Sequence, residues 1–423
     1  MEQKTCRIGC IGQGGRGRSM MELLLDVPGV IVPAVCDLVE ERIDNAIKTV
    51  QKKNNNEYEV HGYSDYKVML ETEDLDAVFV ATTWITHIPV AIDAMKAGLH
   101  VGMEVGGAAS IQECFDLVKT SEETGKFCML MENCCYDRKE MAVFNMVKQG
   151  LFGEVIHCEG GYRHDLRDEI VLGRENIHGR VWNFMHRDGE LYPTHEIGPI
   201  AKILDINRGN RFVSLVSMSS KSKGLNEWIK NNKGTDYDLY GTDWACGDIT
   251  TTLIKCANGE TIRINHDCCL PRPYSREFTV QGTKGIFKEA PDDSNGTIYL
   301  EGISEQPHKW EDFNEKYRAK YEHPLWRDDD TVNFVGGHGG MDYLILAAFA
   351  ESVQLDAEPP IDVYDTATWM AITALSEQSV ALGGSAVAFP DFTNGKWIDR
   401  APSRRGRFCL ETICDEFFEG ENE

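Results

Sequence analysis

The sequence Cys6-Arg7-Ile8-Gly9-Cys10-Ile11-Gly12-Gln13-Gly14-Gly15-Arg16-Gly17 is an apolar run that ends in a loop of glycines. Gly12, Gly14 and Gly17 have the G-x-G-x-x-G spacing of a dinucleotide-binding loop. In that motif the first glycine permits a tight turn, the second lets the backbone approach a pyrophosphate, and the third lets the next helix pack on the strand. The N-terminus of that helix favours negative charge. By itself, the motif also fits a glycine-rich turn without a ligand.

The segment that follows favours the ligand-binding interpretation. Residues 30–36 form a second apolar run that ends at Asp37, about 20 residues beyond the last glycine, where dinucleotide folds place an acid against the adenosine ribose. A carboxylate at this position would repel a 2'-phosphate, and Arg42 lies too far along the chain to argue strongly otherwise. We therefore predict that the cofactor is NAD rather than NADP.

Strand and helix patterns alternate through the rest of the first third of the chain. Residues 76–81, 99–104 and 127–131 are predicted strands, and residues 16–26, 87–97 and 110–124 are predicted helices. Ser110 and Glu113 form a capping box at the start of the last helix. Such alternation predicts an α/β unit with a parallel sheet covered on both faces, here an NAD-binding Rossmann domain over residues 1–131.

Residues 132–423 have a different pattern, which predicts an α+β domain for substrate binding and catalysis. A helix over residues 138–149 precedes strand-like segments at residues 154–162, 212–219, 249–256, 261–265, 277–281 and 298–300. This spacing predicts a large, mostly antiparallel open sheet. We expect helices at residues 340–354 and 364–382 to cover its back, and residues 305–340 to form a functional loop over a site.

The composition limits the classes of partner. The formal net charge is −25, with 43 basic and 68 acidic residues and no basic block, which argues against nucleic acid and anionic membranes. No apolar run is long enough to span a membrane, and no secretory segment precedes the first strand, so a cytoplasmic protein is expected. The 14 cysteines include no C-x-x-C pair, so no metal site is predicted. An open sheet face commonly pairs with a second subunit, which predicts a homo-oligomer.

Polar and aromatic residues follow three of the predicted parallel strands, at the sheet edge where a dinucleotide binds. These loops are residues 82–87, 103–106 and 132–136. In the second half, Tyr162, Arg180, Tyr192 and His195 can bind sugar hydroxyls or exchange protons. His338 stands between two glycine pairs, where an imidazole can act as acid and then base, although a hinge with an incidental histidine fits the same pattern.

These motifs resemble known families. The N-terminal half resembles the glucose-fructose oxidoreductase and inositol dehydrogenase superfamily. The whole chain is similar to glycoside hydrolase family 109, the NAD-dependent α-N-acetylgalactosaminidases. The motifs that carry the resemblance are G-Q-G-G-R-G at residues 12–17, E-N-C-C-Y at 132–136, G-G-Y-R-H-D-L-R at 160–167, L-Y-P-T-H at 191–195 and G-G-H-G-G at 336–340.

Two positions depart from the dehydrogenases of that superfamily. Where they usually have E-K-P with a catalytic Lys, this chain has Glu104-Val105-Gly106. Where they have an Asp four residues before a His, this chain has Leu191 before His195. The resemblance therefore implies the hydrolase rather than the dehydrogenase.

The family resemblance also implies a set of site residues. Together with the glycine motif, it gives as cofactor contacts Gly12, Gly14, Gly15, Arg16, Gly17, Asp37, Trp84, His87, Glu104, Val105 and Asn133. It places Tyr162, Arg180, Tyr192, His195 and Tyr274 around the sugar and makes His338 the acid and base at the leaving group. Tyr192 and His195 are our candidates for handling the proton of the sugar's C3 hydroxyl.

The reaction implied by the resemblance is a redox-assisted glycoside cleavage. NAD oxidises C3 of the sugar, the C2 proton leaves, the aglycone departs from C1, water adds, and C3 is reduced again, so that NAD is retained and ends unchanged. The expected substrate is a small-molecule α-N-acetylgalactosaminide or a glycoside of a related sugar. Two alternatives remain open: an NAD-dependent sugar or cyclitol dehydrogenase, and a sugar-nucleotide or glycan binding protein that keeps NAD as a structural ligand.

Overall fold

The computed structural model describes residues 5–291, 294–327, 336–401 and 406–410. Among these, the first third of the chain forms a seven-stranded parallel sheet with the order β4-β3-β1-β5-β6-β7, in which β2 also pairs with β1. Its strands are β1 Cys6–Ile11, β2 Val30–Ile31, β3 Ala34–Cys36, β4 His61–Tyr63, β5 Ala77–Val80, β6 His100–Met103 and β7 Cys128–Leu130. Its helices are α1 Gly15–Leu24, α2 Glu40–Lys53, α3 Tyr66–Thr72, α4 Trp84–Lys96 and α5 Ile111–Thr124.

This strand order is that of a Rossmann fold, which confirms the fold predicted for the first third. The order reverses between β1 and β5, so the crevice for a dinucleotide opens beyond the carboxyl ends of these two strands. Ser110 caps α5 by accepting a hydrogen bond from the Glu113 N–H, as the capping box predicts. The single strand expected over residues 30–36 is instead divided into β2 and β3, which flank Val32 and Pro33; Pro33 has no N–H to donate to a neighbouring strand.

The second half forms a nine-stranded sheet with the order β15-β14-β13-β12-β8-β11-β10-β9-β16 among the described residues. The strands are β8 Val155–Arg163, β9 Phe212–Ser219, β10 Thr250–Cys256, β11 Thr261–Asp267, β12 Thr279–Gly282, β13 Gly285–Glu289, β14 Gly296–Leu300, β15 Glu311–Asp312 and β16 Val387–Ala388. Only the β8–β11 pair is parallel in this described part, so the predicted large, mostly antiparallel sheet is confirmed.

The second half also contains nine helices among the described residues. They are α6 Arg138–Lys148, α7 Arg167–Val171, α8 Arg180–His186, α9 Thr194–Ile203, α10 Gly224–Asn232, α11 Ala319–Tyr321, α12 Pro324–Arg327, α13 Met341–Leu355 and α14 Val363–Ala381. Short 3-10 helices occupy Asn133–Tyr136, His338–Gly340 and Lys396–Ile398, and a π-helix occupies Asn314–Arg318. The predicted loop over residues 305–340 is thus partly helical, and its residues 328–335 lie outside the described part of the chain.

One of the two helices expected behind the second sheet lies elsewhere. α14 packs against β9, as predicted, and also against α5 and β7 of the first sheet. α13 instead packs against α1, and its Phe349 ring lies 6.2 Å from the Phe127 ring beside β7. α13 has apolar residues on nearly all of its faces, so its sequence did not indicate which half of the molecule it would pack against. The chain therefore returns to the first half of the molecule after β15, before β16 is added to the second sheet.

Candidate functional site

The glycine loop between β1 and α1 is shaped by two close backbone contacts. Gly12 has a φ of 92°, and a Cβ at this residue would lie 2.4 Å from the Ala81 carbonyl oxygen at the end of β5. A Cβ on Gly17 would lie 2.0 Å from the Gly12 carbonyl oxygen. Gly14 and Gly15 meet no backbone, and they lead into the first turn of α1, where N–H groups have no helical acceptor. The loop thus leaves an open face for a phosphate.

Asp37 lies beside the same loop, at the end of β3. Its Oδ2 accepts a hydrogen bond from the Gln13 N–H at 2.6 Å, and its Oδ1 accepts one from the Val39 N–H at 2.9 Å. The Arg42 guanidinium is 3.9 Å from Oδ1. Asp37 is therefore fixed against the glycine loop, as a ribose-binding acid requires.

A cavity of about 410 Å³ opens above this loop. Its walls come from three parts of the Rossmann half and one segment of the second half. The lining includes the glycine loop, Asp37 with the residues that follow it, the loop 81–84 after β5, and residues 177–180. The Asn176 carbonyl accepts a hydrogen bond from Arg42 at 3.1 Å, which ties this covering segment to α2. A Rossmann crevice covered in this way suits a bound dinucleotide.

Arg180 connects this cavity to a group of aromatic side chains. Its guanidinium carbon lies 5.2 Å from the ring centroids of both Trp84 and Tyr192, within the range of cation–π contact. Its Nε lies 3.0 Å from Glu169 Oε1. The Trp84 and Tyr192 rings are 5.3 Å apart. The predicted cofactor residue Trp84 and the predicted sugar residues Arg180 and Tyr192 are thus in direct contact.

The remaining predicted sugar residues surround Tyr162. Its ring lies 4.5 Å from that of Tyr192, 5.4 Å from His195 and 6.3 Å from Tyr274. Its hydroxyl is 3.2 Å from His164 Nδ1. Burial raises the pKa of Tyr162, Tyr192 and Tyr274 above the ordinary tyrosine value. These phenols therefore remain protonated and able to donate hydrogen bonds to a sugar.

His195 is held by a buried carboxylate. Glu132, at the end of β7, is fully buried, and its Oε1 lies 2.7 Å from His195 Nδ1. The Cys134 N–H also donates to Oε1 at 3.0 Å. Burial opposes ionisation of Glu132, but His195 together with other hydrogen bonds, including that from the Cys134 N–H, lowers the pKa of this carboxyl below its ordinary value.

His338 belongs to a second cluster, built around Asp342. His338 Nδ1 lies 2.8 Å from Asp342 Oδ2, and the same carboxylate accepts hydrogen bonds from Arg16 at 2.7 and 3.0 Å and from Asn133 at 2.7 Å. Arg16 also pairs with Glu104 at 2.9 Å. Burial opposes ionisation of Asp342, but hydrogen bonds from His338 and Arg16 hold its pKa below the ordinary value. The cluster brings together four predicted residues: Arg16, Glu104, Asn133 and His338.

The His338 backbone has a φ of 51°, and the two glycines that follow it also have positive φ. The side chain is 62% exposed. Since Nδ1 is engaged by Asp342, Nε2 is the nitrogen that remains for a substrate. Among the described residues, His338 makes no ring contact with the tyrosines around Tyr162.

Four predicted cofactor residues have buried side chains that do not line the cavity: Glu104 and Asn133 of the Asp342 cluster, His87 and Val105. His87 is 2% exposed and its Nε2 lies 3.0 Å from the Thr82 carbonyl oxygen. Burial lowers its pKa to about 4, so the ring is neutral. Val105 is 4% exposed, and its N–H donates to Glu104 Oε2 at 3.1 Å. In this arrangement His87 supports the loop that carries Trp84.

Sequence reasoning gave no role to the acids that organise these clusters. Glu132 and Asp342 both stood in stretches that we singled out, but neither was a predicted site residue. The signal for Asp342 was its position four residues after His338, which suits a side-chain pair on one helical turn. No local signal links Glu132 to His195, or Glu169 to Arg180.

Three side chains come within the spacing of metal ligands. The ligand atoms of Glu132, Cys134 and His195 all lie within 4.8 Å of one another. The Arg276 guanidinium is 3.6 Å from Cys134 Sγ, and burial raises the pKa of that thiol well above its ordinary value. A neutral thiol beside a fixed cation is a poor metal ligand, so this group offers no argument for a metal.

Comparisons with known proteins identify both halves of the chain. Residues 6–132 match the family described as "Oxidoreductase family, NAD-binding Rossmann fold", and residues 136–399 match "Glycosyl hydrolase 109, C-terminal domain". A "Glycosyl hydrolase family 109 protein" of Parabacteroides distasonis is 42% identical over 94% of this chain and 88% of its own length. An "Alpha-N-acetylgalactosaminidase" of Tannerella forsythia is 41% identical over the same shares.

Solved structures share the fold at much lower identity. A levoglucosan dehydrogenase in complex with NADH and levoglucosan superimposes with a TM-score of 0.70, covering 92% of this chain and 100% of that one at 18% identity. Among the described residues, no helix has the length and apolar character that a membrane span needs.

Proposed function

Since the chain belongs to glycosyl hydrolase family 109, we propose that this glycosidase cleaves α-N-acetylgalactosaminides, or glycosides of a closely related sugar, with an NAD that it retains between turnovers. The observation that carries the proposal is the contact of Arg180 with both Trp84 and Tyr192. It joins the predicted cofactor cavity to the predicted sugar-binding tyrosines through one side chain.

The residues present suit NAD. A Cβ at Gly12 or Gly17 would close the loop, whereas Gly14 and Gly15 leave its face open for a pyrophosphate. Asp37 is oriented by two backbone N–H groups and would bind the adenosine ribose hydroxyls. NAD, when bound, supplies the transient oxidation of the sugar at C3.

The chain's own residues would bind the sugar and move its protons. Arg180 forms an ion pair with Glu169, and with Tyr162 and Tyr274 it would orient the hydroxyl groups. Tyr192, whose pKa is raised by burial, would donate a hydrogen bond rather than accept a proton. His195 would take the proton of the C3 hydroxyl. His338, through Nε2, would give a proton to the departing oxygen and take one from the incoming water.

The dehydrogenase alternative lacks proton carriers at the two positions where that superfamily keeps them. Val105 occupies the lysine position and is 4% exposed, and Leu191 occupies the aspartate position and is fully buried. Neither side chain can exchange a proton. The similarity to levoglucosan dehydrogenase concerns the fold and does not alter this argument.

The test is to follow aglycone release and absorbance at 340 nm together, using purified protein and a panel of chromogenic glycosides. The proposal expects aglycone release with many turnovers and no accumulation of NADH. Continuous NADH formation from a free sugar would support the dehydrogenase instead. Tight sugar binding without either signal would support a binding protein.

We also expect that residues 1–131 and 132–423 form two domains, that the protein is cytoplasmic, and that it forms a homo-oligomer. Of these, the oligomeric state is the most direct to measure, by light scattering of the purified chain.

A further inference from the structure

We propose that Glu132 is a positioning residue for His195, which it holds in the tautomer that carries its proton on Nδ1 and presents an unprotonated Nε2 to the sugar. This inference rests on the proposed function, in which His195 Nε2 accepts a proton from a sugar hydroxyl. Glu132 Oε1 lies 2.7 Å from His195 Nδ1. No residue of the described part of the chain hydrogen-bonds Nε2.

The hydrogen-bond pattern at Glu132 fixes the direction of that bond. Oε1 already accepts from the Cys134 N–H at 3.0 Å, and a carboxylate can only accept. The proton shared with His195 must therefore come from Nδ1, and in the neutral imidazole this leaves the lone pair on Nε2. The Tyr192 ring at 5.0 Å and the Tyr162 ring at 5.4 Å make edge-to-face contacts with the imidazole in this orientation.

Two neighbouring buried acids show how burial alone would shift the pKa of Glu132 if His195 were absent. Glu190 and Glu196 are similarly buried, and within the described part of the chain neither oxygen of Glu196 has a hydrogen-bond partner. Burial raises the pKa of Glu190 to about 8 and that of Glu196 well above its ordinary value. Glu132 differs from them in its contact with His195, and its pKa shifts the other way. Of these three buried acids, Glu132 is the one whose ionised form is favoured, and it faces the imidazole.

The space for Glu132 is provided by a glycine of α9. A Cβ on Gly198 would lie 2.8 Å from Glu132 Cγ and 2.9 Å from Cys135 Sγ. Gly198 is one helical turn after His195, so α9 supplies both the histidine and the gap into which the acid fits. The Glu132 carboxylate is fully buried and fits this gap, so its contact with His195 belongs to the helix packing and is not a surface ion pair.

The consequence for the reaction is a proton acceptor with a counter-charge. When Nε2 takes the proton of a sugar hydroxyl, the O–H bond breaks, its electron pair stays on the oxygen, and a new N–H bond forms. The resulting imidazolium keeps its Nδ1–H on Glu132, whose charge stabilises it. When the proton returns to the sugar oxygen, His195 regains the starting tautomer.

The first test does not depend on activity. In ¹⁵N spectra of the purified protein at neutral pH, with His195→Asn to assign the resonance, His195 should have a protonated Nδ1 and a bare Nε2. Glu196→Gln, a matched control in the same buried group of acids, should leave this pattern unchanged, whereas Glu132→Leu should move the proton to Nε2. A parent protein protonated on Nε2, or a parental pattern in Glu132→Leu, would overturn the proposal.

The second test uses Glu132→Gln, which keeps the shape and can still accept the Cys134 N–H bond, so it also serves if Glu132→Leu does not fold. We expect kcat to fall by roughly 10²- to 10⁴-fold, with KM and NAD content within about twofold of the parent. Glu196→Gln should keep the parental kcat. Equal losses in both variants would reduce Glu132 to a packing residue. If the parent cleaves no glycoside at all, the proposed function fails while the ¹⁵N result still decides the role of Glu132.

Discussion

Arg16 in the glycine loop and Asp342 in the first turn of α13 form a two-pronged ion pair, with N–O distances of 2.7 and 3.0 Å across 326 residues of sequence. The Asp342 side chain is 1% exposed, and its carboxylate also forms hydrogen bonds with Asn133 and His338. One buried carboxylate therefore connects the loop expected to bind phosphate with the histidine expected to act on the leaving group.

Replacing this carboxylate should destabilise the fold. In Asp342→Asn, Arg16 loses its bidentate partner, and we expect the free energy of unfolding to fall by about 1.5 to 3 kcal/mol, the range for hydrogen bonds to charged groups. Urea titration followed by circular dichroism measures the change. Asp26→Asn removes the half-exposed ion pair with Lys53 and should cost under about 1 kcal/mol. Similar losses in the two variants would contradict the role of Asp342.

Asp37→Ala should weaken NAD binding without unfolding the protein. The side chain would lose charged hydrogen bonds to the ribose worth about 1.5 to 3 kcal/mol, which is roughly a 10- to 150-fold rise in Kd. The variant also loses the bond to the Gln13 N–H that orders the loop. NAD content after gel filtration and titration calorimetry provide the measurement. Asp44→Ala, an exposed acid on α2, is the matched control, and parental NAD content in Asp37→Ala would refute the ribose assignment.

His338→Ala should slow cleavage in proportion to how poor the leaving group is. We expect a loss of roughly 10²- to 10⁴-fold for alkyl glycosides, as for a general acid, and a smaller loss for nitrophenyl glycosides. Exchange of the sugar's C2 hydrogen with solvent deuterium should persist, because that step precedes departure of the aglycone. Loss of exchange together with cleavage, while NAD and sugar still bind, would assign His338 to the C2 or C3 proton.

Stability should fall between pH 6.5 and about pH 3 because of buried neutral histidines such as His323. Burial lowers the pKa of His323 to about 3, so below pH 6.5 the unfolded chain binds a proton there that the folded protein does not. Unfolding thus takes up protons, and stability decreases as pH falls, by up to about 1.4 kcal/mol per pH unit for each such group.

In His323→Asn, the pH dependence of the free energy of unfolding should decrease by the contribution of one proton, because asparagine does not titrate. The Asn side chain can still accept the Leu325 N–H bond, so the fold should be retained. Urea titrations at pH 7, 6 and 5 give the slope for parent and variant. His308→Asn, at an exposed site, should leave it unchanged. An identical slope in parent and His323→Asn would contradict the burial argument.

The sequence predicted those parts of the molecule that depend on local pattern. The turn at Gly12, the packing at Gly17 and the acid at Asp37 follow from spacing alone, and the structure has all three in the expected geometry. The period of apolar residues likewise predicted both sheets. The apolar pattern did not predict the break at Pro33. Proline lacks the N–H that a strand needs for pairing, and an apolar pattern gives no information about a single missing hydrogen bond.

Contacts between distant segments were beyond that reasoning. Helical periodicity located α13 within one residue at each end, but it could not indicate that α1 would be its neighbour. Glu132 and His195 are 63 residues apart, and Asn133 and Asp342 are 209 apart. Their pairing depends on how α9 and α13 dock, which is a property of the assembled core.

Residues 177–180 form a wall of the nucleotide cavity, and the last of them, Arg180, lies against Tyr192 in the aromatic group. Because one segment contacts both regions, the sugar site and the cofactor site cannot change independently during evolution. A substitution that reshapes the segment to admit a different sugar also changes how firmly the cofactor is covered. We expect relatives with altered sugar preference to carry compensating changes at Trp84 or Arg42, so that substrate range and cofactor retention shift together.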